Sequence, residues 1–209
     1  MRLVLVDYGA GNLPSVERAF ARLGAATVRC RDHQGLAGAD AIVLPGVGHF
    51  GALADGLDRG RLRGAIAAAL AAGVPFLGIC LGMQALYATS EEAPGATGLG
   101  IFPGAVRALP RSVKLPHMGW NTTRREGGPA RDEVAGHSSL LRGVEDAWFY
   151  FAHAYAAPAG DPWISASCDY GPGFAAVVQR GNVMGVQFHP EKSGTAGIRV
   201  LSNFLEFAS

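Results

Sequence analysis

The chain has 209 residues, 49% of them apolar and 17% charged, with a formal net charge of +1. That length suits one domain, residues 1–209, with a full core. The balanced charge shows no basic or acidic block, which excludes nucleic acid and a charged membrane surface as evident partners. Charge this sparse also leaves surface for a partner protein to cover.

The run Leu3-Val4-Leu5-Val6, ended by Asp7, predicts a buried strand opening a parallel sheet. It is too short for a signal peptide, and Ala65–Ala72 is too short to span a bilayer, so a cytoplasmic protein is expected. Asn12 is placed to cap a helix with Pro14 in its first turn and an apolar stripe at Val16, Ala19, Phe20 and Leu23. Gly24 ends it. Short strands follow at Ala26–Val28 and Ala41–Leu44, the second closed by Pro45-Gly46-Val47-Gly48. A helical region from Leu53 to Ala72 is broken near Gly60, then Val74–Ile79 predicts a fourth buried strand running into Cys80, with a helix from Leu81 to Tyr87.

Beyond Glu91 the rhythm breaks into short strands and turns, with an exposed loop over Arg124–Asp132. Strands are predicted at Ala147–Ala152, Trp163–Cys168, Phe174–Gln179 and Val183–Gln187, several of them antiparallel because Arg180-Gly181-Asn182 suits a hairpin turn. A helix over Gly197–Phe207 closes the chain. The fold class is α/β: an open, mostly parallel, flavodoxin-like sheet with flanking helices, plus a smaller antiparallel sheet.

Of three cysteines, Cys30, Cys80 and Cys168, only Cys80 has a chemically suggestive setting, and the odd count argues against a disulfide framework. Gly78-Ile79-Cys80-Leu81-Gly82 has the form of a nucleophile elbow between a strand and a helix. The turn is so tight that the flanking positions must lack side chains, and it projects the nucleophile from the carboxyl edge of the sheet. The N-terminus of the following helix favours a thiolate, and the Leu81 N–H is placed to stabilise an oxyanion. Cys30 and Cys168 are expected to be buried structural residues. No spacing of Cys or His suggests a metal, and no cofactor is implied.

A cysteine nucleophile needs a base, and six histidines are available: His33, His49, His117, His137, His153 and His189. Only His189 ends a strand-like run at the functional edge of the sheet. Pro190 stiffens the next turn, and Glu191 can hold the imidazole as the third member of a Cys80, His189 and Glu191 triad. The bland alternative is a surface turn with a capping glutamate. The other histidines default to surface or satisfied positions, and His153 has no assignable role.

Gly78-Ile79-Cys80-Leu81-Gly82-Met83-Gln84 together with Gln187-Phe188-His189-Pro190-Glu191 resembles the class I glutamine amidotransferase family over essentially the whole chain. Asp7-Tyr8-Gly9-Ala10-Gly11-Asn12, Leu44 to Gly51, and Pro116-His117-Met118-Gly119-Trp120-Asn121 narrow the resemblance to glutaminase subunits of imidazole glycerol phosphate synthase. The resemblance implies that glutamine is hydrolysed through a cysteinyl thioester. The ammonia then passes to a (βα)8-barrel cyclase subunit, which makes imidazole glycerol phosphate and aminoimidazole carboxamide ribonucleotide in histidine biosynthesis. It also implies an oxyanion loop at Gly46, Val47 and Gly48 that rearranges before donating, and glutamine contacts at Gln84, Ala154 and Tyr155. Asn12, Trp120, Tyr150 and Lys192 fall at the cyclase interface, with core packing the alternative for Trp120 and a plain solvated lysine that for Lys192. Pro14 and Ala154 depart from the family pattern.

Competing readings are a glutaminase for another acceptor, such as pyridoxal phosphate or anthranilate synthesis, and a non-catalytic scaffold on the same fold. A cysteine peptidase or redox protein would use the elbow but leave the glutamine-site resemblance unexplained.

Overall fold

A computed structural model describes residues 1–126 and 139–209. Part of the loop read over 124–132, and His137, lie outside the described residues. In chain order the strands are β1 (Leu3–Val6), β2 (Thr27–Cys30), β3 (Ala41–Gly46), β4 (Phe76–Cys80), β5 (Tyr87–Ser90), β6 (Phe102–Ala108) and β7 (His117–Thr122). They continue with β8 (Arg124–Arg125), β9 (Trp148–His153), β10 (Tyr155–Ala156), β11 (Ile164–Cys168), β12 (Phe174–Arg180) and β13 (Val183–Val186). The helices are α1 (Leu13–Ala21), α2 (Phe50–Arg59), α3 (Leu62–Ala71), α4 (Leu81–Gln84) and α5 (Gly194–Phe207).

The main sheet runs β2-β1-β3-β4-β13-β12-β11-β8. Its first five strands are parallel and the remaining three antiparallel. The change of direction comes at the β12–β13 hairpin, where Arg180 pairs with Val183 across Gly181-Asn182 and Gly181 takes φ 58°. Two smaller sheets, β10-β6-β5 and β7-β9, stand apart from it, and β7-β9 is antiparallel.

Strands buried on both faces need apolar residues at every position, and β1 shows how they are shared. Leu3 and Leu5 join the cluster packed under α1 and α5, while Val4 and Val6 join the cluster packed under α2 and α3. The break near Gly60 falls at Gly60-Arg61, where Arg61 adopts φ 52° and separates α2 from α3.

Some local expectations need correction. Asn12 sits at the N-cap position of α1, but its side chain makes no capping bond, and Pro14 alone supplies the helix-start signal there. Pro45 and Gly46 belong to β3 instead of closing it. Arg124 and Arg125 form the edge strand β8. The helix after Cys80 is one turn long and ends at Gln84, because Tyr87 already enters β5 beside Phe102.

Candidate active site

Cys80 is the last residue of β4 and the first of the turn into α4, with φ 53° and ψ −108°. An L-residue rarely adopts a positive φ, and here Gly78 and Gly82, two residues to either side, leave room for the tight turn that requires it. A Cβ on Gly78 would stand 2.6 Å from the Gly82 carbonyl oxygen, and one on Gly82 would overlap the Leu44 carbonyl. The elbow expected from Gly-x-Cys-x-Gly is therefore present, with both glycines needed for the close approach. A single turn of helix sums few peptide dipoles, so α4 gives less electrostatic help than a longer helix would.

The positive charge beside the sulfur comes from His189. The chain leaves β13 at Val186, and Phe188, fully buried and stacked on Phe149 at 4.1 Å between ring centroids, anchors the segment that carries His189. The His189 amide donates to the Tyr150 carbonyl at 2.8 Å, and the Ser193 hydroxyl donates to the His189 carbonyl at 2.7 Å. The ring Nδ1 lies 2.9 Å from Glu191 Oε1, with both side chains almost wholly buried. The Cys80 sulfur is near enough to act on the charge of the ring. Burial opposes charge on the imidazole, but the Cys80 sulfur and Glu191 together outweigh it and push its pKa up to about 10. The structure thus brings Cys80, His189 and Glu191 together.

Gln187, whose motif position carries no sequence-based role, is fully buried. Its Nε2 lies 3.5 Å from Cys80 Sγ, and its Oε1 accepts from Gln84 Nε2 at 3.0 Å. Gln84 Nε2 also donates to the Tyr155 carbonyl at 2.8 Å. Gln84 and Tyr155 are thereby brought together behind the cysteine. The Ala154 carbonyl accepts from the Leu109 amide at 2.9 Å. His153 also belongs here: its Nδ1 lies 2.9 Å from the Tyr155 carbonyl and its Nε2 3.1 Å from His117 Nδ1. Burial lowers the pKa of His153 to about 3 and that of His117 to about 4, so both rings are neutral. Periodicity alone could place these histidines on one face of a strand but not opposite one another across β7 and β9.

The Gly46-Val47-Gly48 segment lies beside the cysteine because β3 and β4 pair Gly46 with Cys80. A Cβ on Gly46 would come within 2.7 Å of Leu81 Cβ, and Gly48 takes φ 100°. Leu81 itself is buried at the start of α4.

Of the residues expected at an interface, Trp120 and Tyr150 lie on the outer face of β7-β9, with Lys192 beside them. Trp120 pairs with Tyr150 across the ribbon and is 52% exposed, which removes the core-packing alternative. Lys192 Nζ stands 5.6 Å from the Tyr150 ring centroid. Met118 and Trp148 extend the same face, at 67% and 59% exposed. Asn12 is half-buried at the start of α1, which packs against the Pro190–Lys192 turn. Cys30 and Cys168 are buried away from this chemistry, and burial pushes both thiols up, Cys168 to about 12.

Residues 4–207 match the family model described as glutamine amidotransferase class-I. A protein of Methanothermobacter thermautotrophicus named imidazole glycerol phosphate synthase subunit HisH is 44% identical over 98% of each chain. A protein of the same name from Symbiobacterium thermophilum is 45% identical over 97% of this chain and 92% of its own. A crystal structure of a glutamine amidotransferase superposes with a TM-score of 0.77 at 18% identity, covering 100% of this chain and 99% of that one, a likeness of fold.

Proposed function

The chain belongs to the class-I glutamine amidotransferase family, and from that premise we propose that it is the ammonia-producing subunit of an imidazole glycerol phosphate synthase. The observation that carries the chemistry is the buried relay from Cys80 through His189 to Glu191, built on a strained elbow. The thiolate attacks the side-chain amide carbon of glutamine and its π electrons move to oxygen. The C–N bond then breaks as the His189 imidazolium gives its proton to the departing amine, which leaves as ammonia. Water adds to the resulting γ-glutamyl thioester with its proton going to His189, and the C–S bond breaks to release glutamate.

The Val47 and Leu81 amides are the proposed oxyanion donors. Gln84, Ala154 and Tyr155 form the glutamine side of the site, with Gln187 keeping Gln84 beside the sulfur. The exposed face of Trp120, Tyr150 and Lys192, with Asn12 nearby, is the proposed seat of the (βα)8-barrel cyclase. Exposed aromatic residues of this kind favour a protein partner over solvent. The backbone link from Tyr150 to His189 and Ser193 gives that face a direct hold on the base. An inert scaffold does not account for the relay, and a glutaminase for another acceptor does not account for the near full-length similarity to proteins of this name.

The test is to mix the chain with an imidazole glycerol phosphate cyclase and measure glutamate release with and without the cyclase's nucleotide ligand. Stimulation by the liganded partner is the expected result. A rate independent of partner and ligand would refute the assignment.

A further inference from the structure

Tyr8 lies just beyond β1 and is 5% exposed. Its ring is seated against α2 at Gly56, where a Cβ would come within 2.7 Å of Tyr8 Cβ and 3.2 Å of Tyr8 Cδ2. A mid-helix glycine is unfavourable for the helix, and here it makes the space this ring occupies. The Tyr8 hydroxyl donates to the Val47 carbonyl at 3.1 Å and accepts from the Val47 amide at 3.2 Å. One side-chain group thus satisfies both backbone polar groups of the residue between Gly46 and Gly48. An N–H aimed at the phenol is not aimed at an oxyanion forming on Cys80, and Gly48 at φ 100° is a pivot that tolerates reorientation.

We propose that Tyr8 is a positioning residue that latches the Val47 peptide in its resting orientation and so sets how little glutamine the chain hydrolyses without its partner. This rests on reading Gly46-Val47-Gly48 as the oxyanion loop. Burial, with a smaller contribution from the nearby Cys80 sulfur, pushes the Tyr8 phenol up to about 12 against the pull of its bond to the Val47 carbonyl. The hydroxyl therefore keeps its proton, and with it the donation to Val47, throughout the working range. Releasing the latch exchanges two hydrogen bonds to Tyr8 for one to the substrate oxyanion, an exchange that partner docking can tip.

Tyr8→Phe removes the hydroxyl and keeps the ring against Gly56. Two measurements on the folded variant test the latch: amide hydrogen exchange at Val47 by NMR in the isolated chain, and steady-state glutamate release with and without the liganded cyclase. Val47 exchange should accelerate about tenfold as its acceptor is lost. Basal kcat should rise about tenfold, about 1.4 kcal/mol of barrier, while KM stays within about twofold. The partner-stimulated rate should match wild type, so the stimulation factor falls. Unchanged exchange, an unchanged or lower basal kcat, or loss of the stimulated rate would each overturn the latch. A wild-type chain that stays inactive with liganded cyclase would refute the glutaminase reading and the latch with it. An active wild type beside an unaltered Tyr8→Phe would refute the latch alone.

Discussion

Cys80 takes a backbone conformation that side chains avoid, and it keeps it because β4 and the Gly82 turn leave no alternative path. Beside it the charged form of His189 is held by the sulfur and by Glu191 until about pH 10. Cys80→Ala should abolish glutamate release and leave the thermal transition near that of wild type, because little volume is lost. A variant with wild-type rates would remove Cys80 from the mechanism. The His189 ring should titrate near pH 10 when followed by NMR, well above a free imidazole. In Glu191→Gln the ring should titrate at lower pH, and an unchanged titration would deny the contact with Glu191. Gln84→Leu would leave the Gln187 amide oxygen short of a donor inside the protein and leave the Tyr155 carbonyl with His153 alone. It should destabilise the fold by about 1–3 kcal/mol, read by urea denaturation, and raise KM for glutamine.

At the level of elements, the parallel strands were legible because each is a short run of uninterrupted apolar residues between turn residues. The elbow was legible for a sharper reason, since only glycine tolerates its contacts. Gly82→Ala should therefore prevent folding to a soluble product, its methyl group having nowhere to go but into the Leu44 carbonyl. The length of α4 was not legible. Leu81 to Tyr87 carries residues that suit a helix, but pairing of Tyr87 with Phe102 draws the chain into β5 and ends the helix after one turn. The β7-β9 ribbon shows the same limit: alternation can divide each strand into two faces, but the outward face is known only once His117 and His153 are seen inside. Trp120 is outside and half exposed. Trp120→Ala should therefore leave the chain's own thermal stability nearly unchanged and weaken cyclase binding by about 2 kcal/mol or more, measured by titration calorimetry. Unchanged affinity would remove Trp120 from the interface.

Across the whole molecule, three buried histidines set opposing limits on stability. His189 has a folded pKa near 10, above its unfolded value, so its contribution is complete below about pH 6.5 and is lost as pH rises toward 10. His153 and His117 are held neutral, with folded values near 3 and 4. The unfolded chain therefore binds protons that the folded one refuses, and stability falls as pH drops below about 6.5. From these groups stability should peak close to neutrality and decline on both sides, as measured by denaturant midpoints across pH. In a His153→Asn, His117→Asn double variant the acid limb should become shallower, and an unaltered acid limb would show that the pair does not titrate on unfolding. Among the described residues, no helix is long and apolar enough to cross a membrane.

What the amino-acid order determined by itself was local: strands written in apolar runs, a hairpin written in Gly181-Asn182, an elbow written in two glycines, and the short motifs that carry the family. Those features depend on interactions within a few residues, so they survive translation into sequence. Only the tertiary structure decided which distant groups meet. Gln187 reaches Cys80 across more than a hundred residues of chain, His117 faces His153, and Tyr8 reaches Val47. The reason is physical: hydrogen bonds and burial act through space, and the order of strands β4, β13 and β12 in the sheet sets those distances.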